Sequence, residues 1–372
     1  MIDSQKQCDP ANQPGPFVVP IFIPQAGCPH QCVFCNQRAL TGTAAAMPAV
    51  DGLAEEIRRF LAFRRDNRAL AEIAFFGGNF LGQDPDDIQA LLEIAAGFVR
   101  EGKADGIRFS TRPDTIDERR LDFISPYPVR TVELGVQSMD DRVLALSRRG
   151  HSAADTVRAV RLLKQRGYKT GLQMMVGLPG EDASGAIDTA RQVAALEPDF
   201  VRIYPTLVIK GSPLEQWYRS GRYDPLTLED CIERVKALFL LFNNKNIPVA
   251  RIGLQANEGL DTGRDLVAGP YHPALGQMVV SGVLFDKAAE QIASLGDEFS
   301  GGVEIRVHPR MISTLRGQKN GNIRRLKERF PHMGRISVAG DPDMEEMGVG
   351  VDTGAGAASG DQMSSRIKKH KE

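Results

Sequence analysis

The sequence predicts an α/β fold, a partial (β/α)6-type TIM barrel core followed by a small α+β C-terminal extension. Three observations predict it. Short, nearly continuous apolar segments alternate with amphipathic helical segments from residue 17 to about residue 254. This is the pattern of parallel strands buried on both faces by crossover helices. Six such strands each end in glycine or polar residues, in phase along the chain, and beyond about residue 274 the chain changes character and becomes basic. The pattern alone leaves an open doubly wound sheet as the alternative.

At 372 residues the chain exceeds one ordinary core. The expected division is a disordered N-terminus over 1–16, a core over 17–255, a basic α+β domain over 256–350 and a disordered tail over 351–372. Residues 17–23 are β-branched and apolar and read as the first strand. Residues 53–64 carry Leu53, Ile57, Phe60 and Leu61 on one helical side. Residues 73–76 form a buried strand ending in Gly77 and Gly78. The helix over 85–100 has Asp84 as N-cap, Pro85 at its first position and Asp86 and Asp87 in its first turn. Further strands fall at 107–110, 131–136, 170–176 and 200–204, with helices at 118–124, 153–165 and 184–196, and 248–254 is a candidate seventh strand. After residue 274, a helix is expected over 278–295, a strand over 303–307 and a basic helix-loop region over 311–330.

Composition excludes some classes. A net charge of −1 does not mark the whole molecule as a polyanion binder, and no apolar run reaches the ~20 residues of a membrane span. The N-terminal segment lacks a signal-peptide pattern. Five cysteines, with Cys28, Cys32 and Cys35 clustered and Cys8 and Cys231 apart, argue against a disulfide framework. The expected location is the cytoplasm, without a membrane partner. Cys231 lies in a helical run and reads as a core thiol.

The cysteine triplet has C-x3-C-x2-C spacing, directly after the first strand. Three thiolates hold three corners of a four-iron cluster and leave one iron open for a substrate or cofactor. The alternative at this level is a structural zinc with His30 as fourth ligand, although zinc knots usually pair C-x2-C or C-x4-C with a second ligand pair. The other strand ends carry Gly77-Gly78-Asn79, Ser110-Thr111-Arg112, Glu133 to Ser138, Gln173 to Gly180 and Arg202 to Pro205. In parallel βα architectures this end binds ligands. Taken singly, each is also an ordinary turn or strand-end hydrogen bonder.

Gly27-Cys-Pro-His-Gln-Cys-Val-Phe-Cys35, Phe76-Gly-Gly-Asn-Phe80, Ser110-Thr-Arg-Pro-Asp114, Glu133-Leu-Gly-Val-Gln-Ser138 and Met174-Met-Val-Gly-Leu-Pro-Gly180 together resemble the radical S-adenosylmethionine (SAM) superfamily. Arg202-Ile-Tyr-Pro-Thr-Leu-Val-Ile-Lys-Gly211 and Ala268-Gly-Pro-Tyr-His-Pro-Ala274 narrow the resemblance to the radical SAM part of Elongator catalytic subunits. It covers about residues 18–274. The resemblance implies a 4Fe-4S cluster on Cys28, Cys32 and Cys35, with S-adenosyl-L-methionine chelating the open iron. It further implies reductive cleavage to a 5′-deoxyadenosyl radical that abstracts hydrogen from a substrate. Phe34 matches a position shaping the cofactor pocket. Gly77 and Gly78 match backbone that approaches the methionine amino group, where a Cβ would obstruct. Asn79 stands where relatives often have threonine or glutamate. Ser110, Glu133, Gln137 and Gln173 are expected near the ribose and carboxylate, and Gly177 with Val176 behind the adenine. For Arg112 and Arg202, an anion contact and a rim salt bridge both remain open, and His151 reads as a helix-entry hydrogen bonder.

Between Glu304 and Arg335 nine Lys or Arg face two acids, Glu304 and Glu328. Such clustering is the electrostatic footprint of a polyanion partner, although charge runs are usually solvated helix faces. Arg316, Lys319, Arg324, Arg325 and Lys327 are the candidate nucleic-acid contacts, with residues 317–322 as a flexible polar loop along a phosphate backbone. The resemblance implies tRNA, since Elongator-type proteins act on its wobble uridine, and a low-potential electron donor of flavodoxin or ferredoxin type. No acetyl-CoA phosphate loop is read after residue 274, so acetyl transfer is not expected. The leading expectation is a radical SAM enzyme that modifies tRNA. The alternatives are a radical SAM enzyme acting on a small molecule such as a porphyrinogen, and a zinc-stabilised RNA-binding module.

Overall fold

Seven strands rich in Val, Ile, Leu and Phe form one parallel sheet in the computed structural model, which describes residues 16–23, 28–36, 39, 50–64, 70–255 and 258–353. The chain divides into two units, Met1–Pro273 and Ala274–Glu372. The first runs β1 (Phe17–Ile23), α1 (Val50–Leu61), β2 (Ala71–Gly77), α2 (Pro85–Arg100), β3 (Gly106–Thr111), α3 (Glu118–Ile124), β4 (Val129–Gln137), α4 (Asp141–Leu146), α5 (Ala153–Gln165) and β5 (Lys169–Val176). It continues with α6 (Ala183–Ala195), β6 (Phe200–Pro205), β7 (Val208–Ile209), α7 (Pro213–Arg219), α8 (Leu228–Asn244), β8 (Val249–Ile252), α9 (Glu258–Asp261) and β9 (Leu266–Ala268).

The sheet order is β1-β2-β3-β4-β5-β6-β8, and every neighbouring pair is parallel. A doubly wound sheet reverses its order at a switch point. This one never does, so it is a curled, partial barrel whose edges β1 and β8 remain unpaired with each other. The stretch over 248–254 supplies the seventh strand. Ile73, Ala74 and Phe75 on β2 and Leu172, Met174 and Val176 on β5 are almost fully buried. That explains their nearly continuous apolar runs, since both faces of the sheet are covered. On α2, Ile88, Leu91, Leu92, Ala95 and Ala96 form the buried stripe, each large side chain contributing roughly 2 kcal/mol on leaving water. The Asp84 carboxylate accepts from the Asp86 N–H at 3.0 Å, so the N-cap stands where the sequence predicts it.

The boundary between units falls at Pro273/Ala274, not at 255/256. The reason is a two-stranded sheet: β9 pairs antiparallel with β7, and Asp265 O accepts from the Lys210 N–H at 2.9 Å, tying residues 258–268 to the first unit.

The second unit contains α10 (Leu275–Ala293), β10 (Val303–Val307), α11 (Ile312–Arg316), α12 (Gly321–Arg329), β11 (Ile336–Gly340) and β12 (Gly350–Thr353). Its sheet has the order β11-β10-β12, parallel on one side of β10 and antiparallel on the other. Leu284, Ala288 and Ile292 of α10 pack with Val303, Ile305 and Val307 of β10 and with Leu315 and Leu326. Strand β12 carries order through Thr353, opposite Val303, so residues 351–353 are sheet where a tail was expected. The rest of that expected tail, the expected N-terminal disorder up to residue 15, Cys8 and Gly27 lie outside the described residues.

Candidate functional site

The C-terminal ends of the parallel strands open into a cavity of ≈ 970 Å³ in the first unit. Cys28, Cys32, Cys35, Phe34, Gly77, Gly78, Asn79, Ser110, Glu133, Gln137 and Gln173 all line it, whereas Gly177 does not. Strand order brings them together: most lie at or just beyond a strand end, and Glu133 and Gln173 project from the middle of β4 and β5.

The apolar pair inside the cysteine loop anchors it. Val33 is fully buried, donates its N–H to Ser147 O at 3.1 Å and accepts from Leu214 N–H at 2.8 Å. Its side chain packs with Val208, Leu214 and Tyr223. Phe34 packs on Met175, Leu178 and Val143 and so forms one wall of the cavity.

Two buried guanidiniums face the thiols. Arg149 donates to Cys32 Sγ at 3.5 Å and to Gly135 O at 2.6 Å, leaving Nε buried without a hydrogen-bond partner. Gly135 is required there, because a Cβ would lie 2.7 Å from the Arg149 guanidinium. Arg112, only 2% exposed, donates to both Asp114 carboxylate oxygens at 2.9 and 3.0 Å, while one terminal nitrogen is buried without a partner. Burial pushes the Cys28 thiol up, against the opposing pull of Arg149, Arg112 and the Asn79 backbone N–H. His151 hydrogen-bonds Val136 O at 3.2 Å. Burial, reinforced by Arg149 and Arg112, pushes its pKa down to about 3, so the imidazole is neutral. The sequence reading missed Arg149. The nearest signal was the pair of glycines around it, Gly135 and Gly150, since a Cβ on Gly150 would strike the His30 ring.

Other residues do different work from that expected. The Asn79 side chain turns into the protein, accepting from Thr111 Oγ1 at 2.6 Å, Thr115 Oγ1 at 3.0 Å and Arg112 N–H at 3.1 Å. It ties β2 to the segment after β3, and only its backbone N–H faces Cys28. Glu133 is held bidentately by Arg202 at 2.8 and 3.0 Å and also faces Arg108 at 3.3 Å. Arg108 in turn pairs with Glu72 at 3.5 Å, giving a buried ladder of alternating charge across β2, β3, β4 and β6. Gln137 has φ 70 at a register shift ending β4, and accepts from Gln173 Nε2 at 2.9 Å. A non-glycine residue held left-handed at such a break is a mark of functional sites.

Gly177 is clamped from both sides behind the cavity wall. Its N–H donates to Glu181 Oε2 at 2.6 Å and its carbonyl accepts from the Tyr223 hydroxyl at 2.7 Å. With φ +77 the position favours glycine, and a Cβ would meet Leu226 at 3.0 Å. Burial pushes the Glu181 carboxyl up to about 7, against the opposing N–H groups of Gly177 and Leu178. The folded protein therefore keeps a proton that the unfolded chain loses near its ordinary value of 4.5, and stability falls as pH rises from about 4.5 to about 7. Glu181→Gln is expected to remove roughly 3 kcal/mol of that decline. Urea unfolding of both proteins across this range checks it, and parallel pH profiles would rule it out.

Among the described residues no three His, Cys, Asp or Glu side chains gather to share one metal ion. A four-iron cluster makes no such demand, because each thiolate takes a different iron. The orphaned N–H groups of Arg149 and Arg112 suit the negative charge of such a cluster and of a cofactor carboxylate. Gly77 and Gly78 expose backbone on the cavity wall. The residues present fit a 4Fe-4S cluster with SAM.

Residues 22–193 match the radical SAM superfamily and residues 198–283 match the radical SAM C-terminal domain. The chain belongs to the radical SAM superfamily. A radical SAM protein of this family implies a 4Fe-4S cluster and SAM. It is 29% identical over 246 residues to the tRNA uridine(34) acetyltransferase of Dehalococcoides mccartyi (strain CBDB1), covering 57% of this chain and 54% of the relative. It is 28% identical over 204 residues to protein YhcC of Escherichia coli (strain K12), covering 54% and 63%. In solved structures, the archaeal Methanocaldococcus infernus Elp3 with an N-terminal deletion superposes with a TM-score of 0.55 at 22% identity, covering 76% of this chain and 64% of that one. That likeness shows the fold. Within the superfamily this radical SAM protein is Elongator-like, and it spans about half the length of the acetyltransferase relatives it matches. None of its described helices is long and apolar enough to cross a membrane.

Proposed function

We propose that this radical SAM protein cleaves SAM reductively at a 4Fe-4S cluster on Cys28, Cys32 and Cys35 and modifies a nucleoside in tRNA, of the wobble-uridine type. The observation carrying the substrate class is the state of the buried charges. Arg108 and Arg202 are matched by Glu72 and Glu133, Arg112 is matched by Asp114, and Arg149 is turned to Cys32. Among the described residues, every buried arginine of the cavity except Arg149, which faces Cys32, already has a carboxylate partner. A porphyrinogen, which presents several carboxylates, would meet fewer free cations than it has charges, and burying unpaired charge is costly. A neutral, flat heterocycle instead meets Phe34, Phe76 and Tyr204 with the amides Gln137 and Gln173. The names of relatives, tRNA uridine(34) acetyltransferases from a bacterium and archaea, support the same class.

When bound, the cluster and SAM supply one-electron cleavage and hydrogen abstraction. The chain's own residues hold and insulate that chemistry. Three thiols bind, Arg149 and Arg112 balance their charge, the clamp on Gly177 fixes the loop behind the cavity wall, and the Glu72–Arg108–Glu133–Arg202 ladder makes a polar cavity wall with no free charge. An external low-potential donor of flavodoxin or ferredoxin type would supply the electron.

Tandem mass spectrometry of tRNA nucleosides from a strain lacking the gene tests the proposal. One modified nucleoside is expected to disappear and to return with the wild-type gene but not with Cys32→Ala. Unchanged nucleosides across growth conditions would overturn it. Anaerobic metal analysis separates the zinc-stabilised RNA-binding alternative, since acid-labile sulfide cannot come from a zinc knot.

A further inference from the structure

Resting on the tRNA reading above, we propose that the outer face of α11 and α12, with the turn between them, is a docking surface for an RNA phosphate backbone. Leu315, Asn322, Leu326 and Phe330 point into the second unit and are buried. The opposite side presents Arg316, Lys319, Arg324, Arg325, Lys327 and Arg329, all exposed.

What distinguishes this face from an ordinary solvated helix is that its cations have no acidic partners. In the first unit four exposed cations pair along their own helices, Arg58 with Glu55, Arg158 with Asp155, Arg191 with Asp188 and Arg219 with Glu215. That is the usual i,i+3 and i,i+4 lacing of a helix facing water. The unpaired ones there, such as Arg59, Arg119 and Arg161, stand singly rather than in a cluster of six. In the second unit Arg306 pairs with Asp341 and Asp352, and Arg310 with Glu346. Among the described residues, none of the six cations on α11, α12 and their turn lies in an ion pair. Glu328 is the lone acid of α12. Holding six like charges on two short helices is unfavourable without a polyanion to neutralise them.

The turn is built rather than loose, contrary to the flexible loop expected from its sequence. Asn322 Nδ2 donates to Leu315 O at 2.9 Å and Ser281 Oγ at 2.9 Å, and Arg324 donates to Lys319 O at 2.6 Å. Lys319 and Asn320 both take left-handed backbone, with φ 50 and 58, and both are exposed. The Arg325 guanidinium carbon lies 4.1 Å from the Phe285 ring centroid, so the charged head stacks on α10 while the residue stays exposed.

RNA is favoured over an anionic membrane. A membrane-surface helix carries exposed Trp, Phe or Leu beside its cations. Among the described residues, the exposed large hydrophobics, Phe63, Leu70, Leu146, Val157 and Tyr218, all belong to the first unit. Charge without apolar interleaving is the signature of backbone contact.

The test is equilibrium binding of an unmodified tRNA transcript to the full chain across a salt series. A variant with Arg316→Ala, Lys319→Ala, Arg324→Ala and Lys327→Ala is expected to bind about 100-fold more weakly near 0.1 M salt. Its slope of log affinity against log salt should fall by about 3, since each lost phosphate contact removes nearly one. Replacing only Arg316 and Lys327 spares the Arg324–Lys319 contact and should give about half that change. A control removing three paired cations (Lys103→Ala, Arg158→Ala, Arg191→Ala) should keep the wild-type slope. Wild-type affinity and slope in the fourfold variant would overturn the surface assignment while leaving the tRNA reading intact. No tRNA binding by wild-type protein at any salt would overturn both. Loss of binding to phosphatidylserine vesicles in the fourfold variant, with tRNA binding unchanged, would reassign the face to a membrane.

Discussion

Cys32→Ala is expected to eliminate iron and sulfide after anaerobic reconstitution, and SAM cleavage with them, while the chain stays folded. The two halves of that expectation have separate physical sources. In the proposed site Cys32 would supply one of three thiolates, and a cluster held at two corners would lose a third of its protein ligation. The loop, however, is held by Val33, whose backbone bonds to Ser147 and Leu214 and whose side chain is fully buried. Neither depends on the Cys32 sulfur. Removing one small buried group costs the apo fold about 1–2 kcal/mol. Cys231→Ser is the matched control, since that thiol is fully buried within α8, its pKa pushed up to about 12 by burial, and it lies apart from the triplet. Metal and sulfide content, visible absorbance and a thermal melt of the apo protein read all of this. Retained iron and sulfide in Cys32→Ala would refute the ligand assignment.

Much of the barrel was legible because its strands are buried on both faces. β2, β5 and β6 read as mostly apolar runs for that reason, interrupted by Glu72, Gln173 and Arg202, which face the cavity. The same logic failed for β7 and β9. Two or three residues have no periodicity to read, yet this pair carries the boundary from 255 to 273. In the site, spacing revealed the cysteines because a local loop delivers all three. It did not reveal Arg149, which reaches Cys32 from 117 positions away through the fold of β4 and α4. Nor does a sequence say which partner a buried polar residue chooses. Asn79 sits just past a strand end as expected while Glu133 lies in the middle of β4, and Arg202 and Arg108 occupy Glu133, whereas Thr111, Thr115 and a backbone N–H occupy the side chain of Asn79.

Arg149→Ala is expected to lower the midpoint potential of the reconstituted cluster by roughly 100 mV. Reduction adds a negative charge to a site where the buried guanidinium stands 3.5 Å from Cys32 Sγ, a proposed ligand. A fixed positive charge favours the reduced form, so its removal makes reduction harder. At an effective dielectric near 20, a unit charge a few ångströms away is worth on the order of 2–3 kcal/mol, which is roughly 100 mV for a one-electron couple. The variant should also lose apo stability by about 2 kcal/mol, because Gly135 O is left without its 2.6 Å donor. Arg149→Lys separates charge from packing. It keeps the charge on a long stem but lacks the planar fork that reaches Cys32 and Gly135 O together. Most of the potential should therefore return with lysine, while the stability loss persists. Redox titration followed by electron paramagnetic resonance gives the first quantity, and denaturant unfolding of the apo protein gives the second. A potential unchanged in Arg149→Ala would reduce this arginine to a packing residue, whatever happened to the fold.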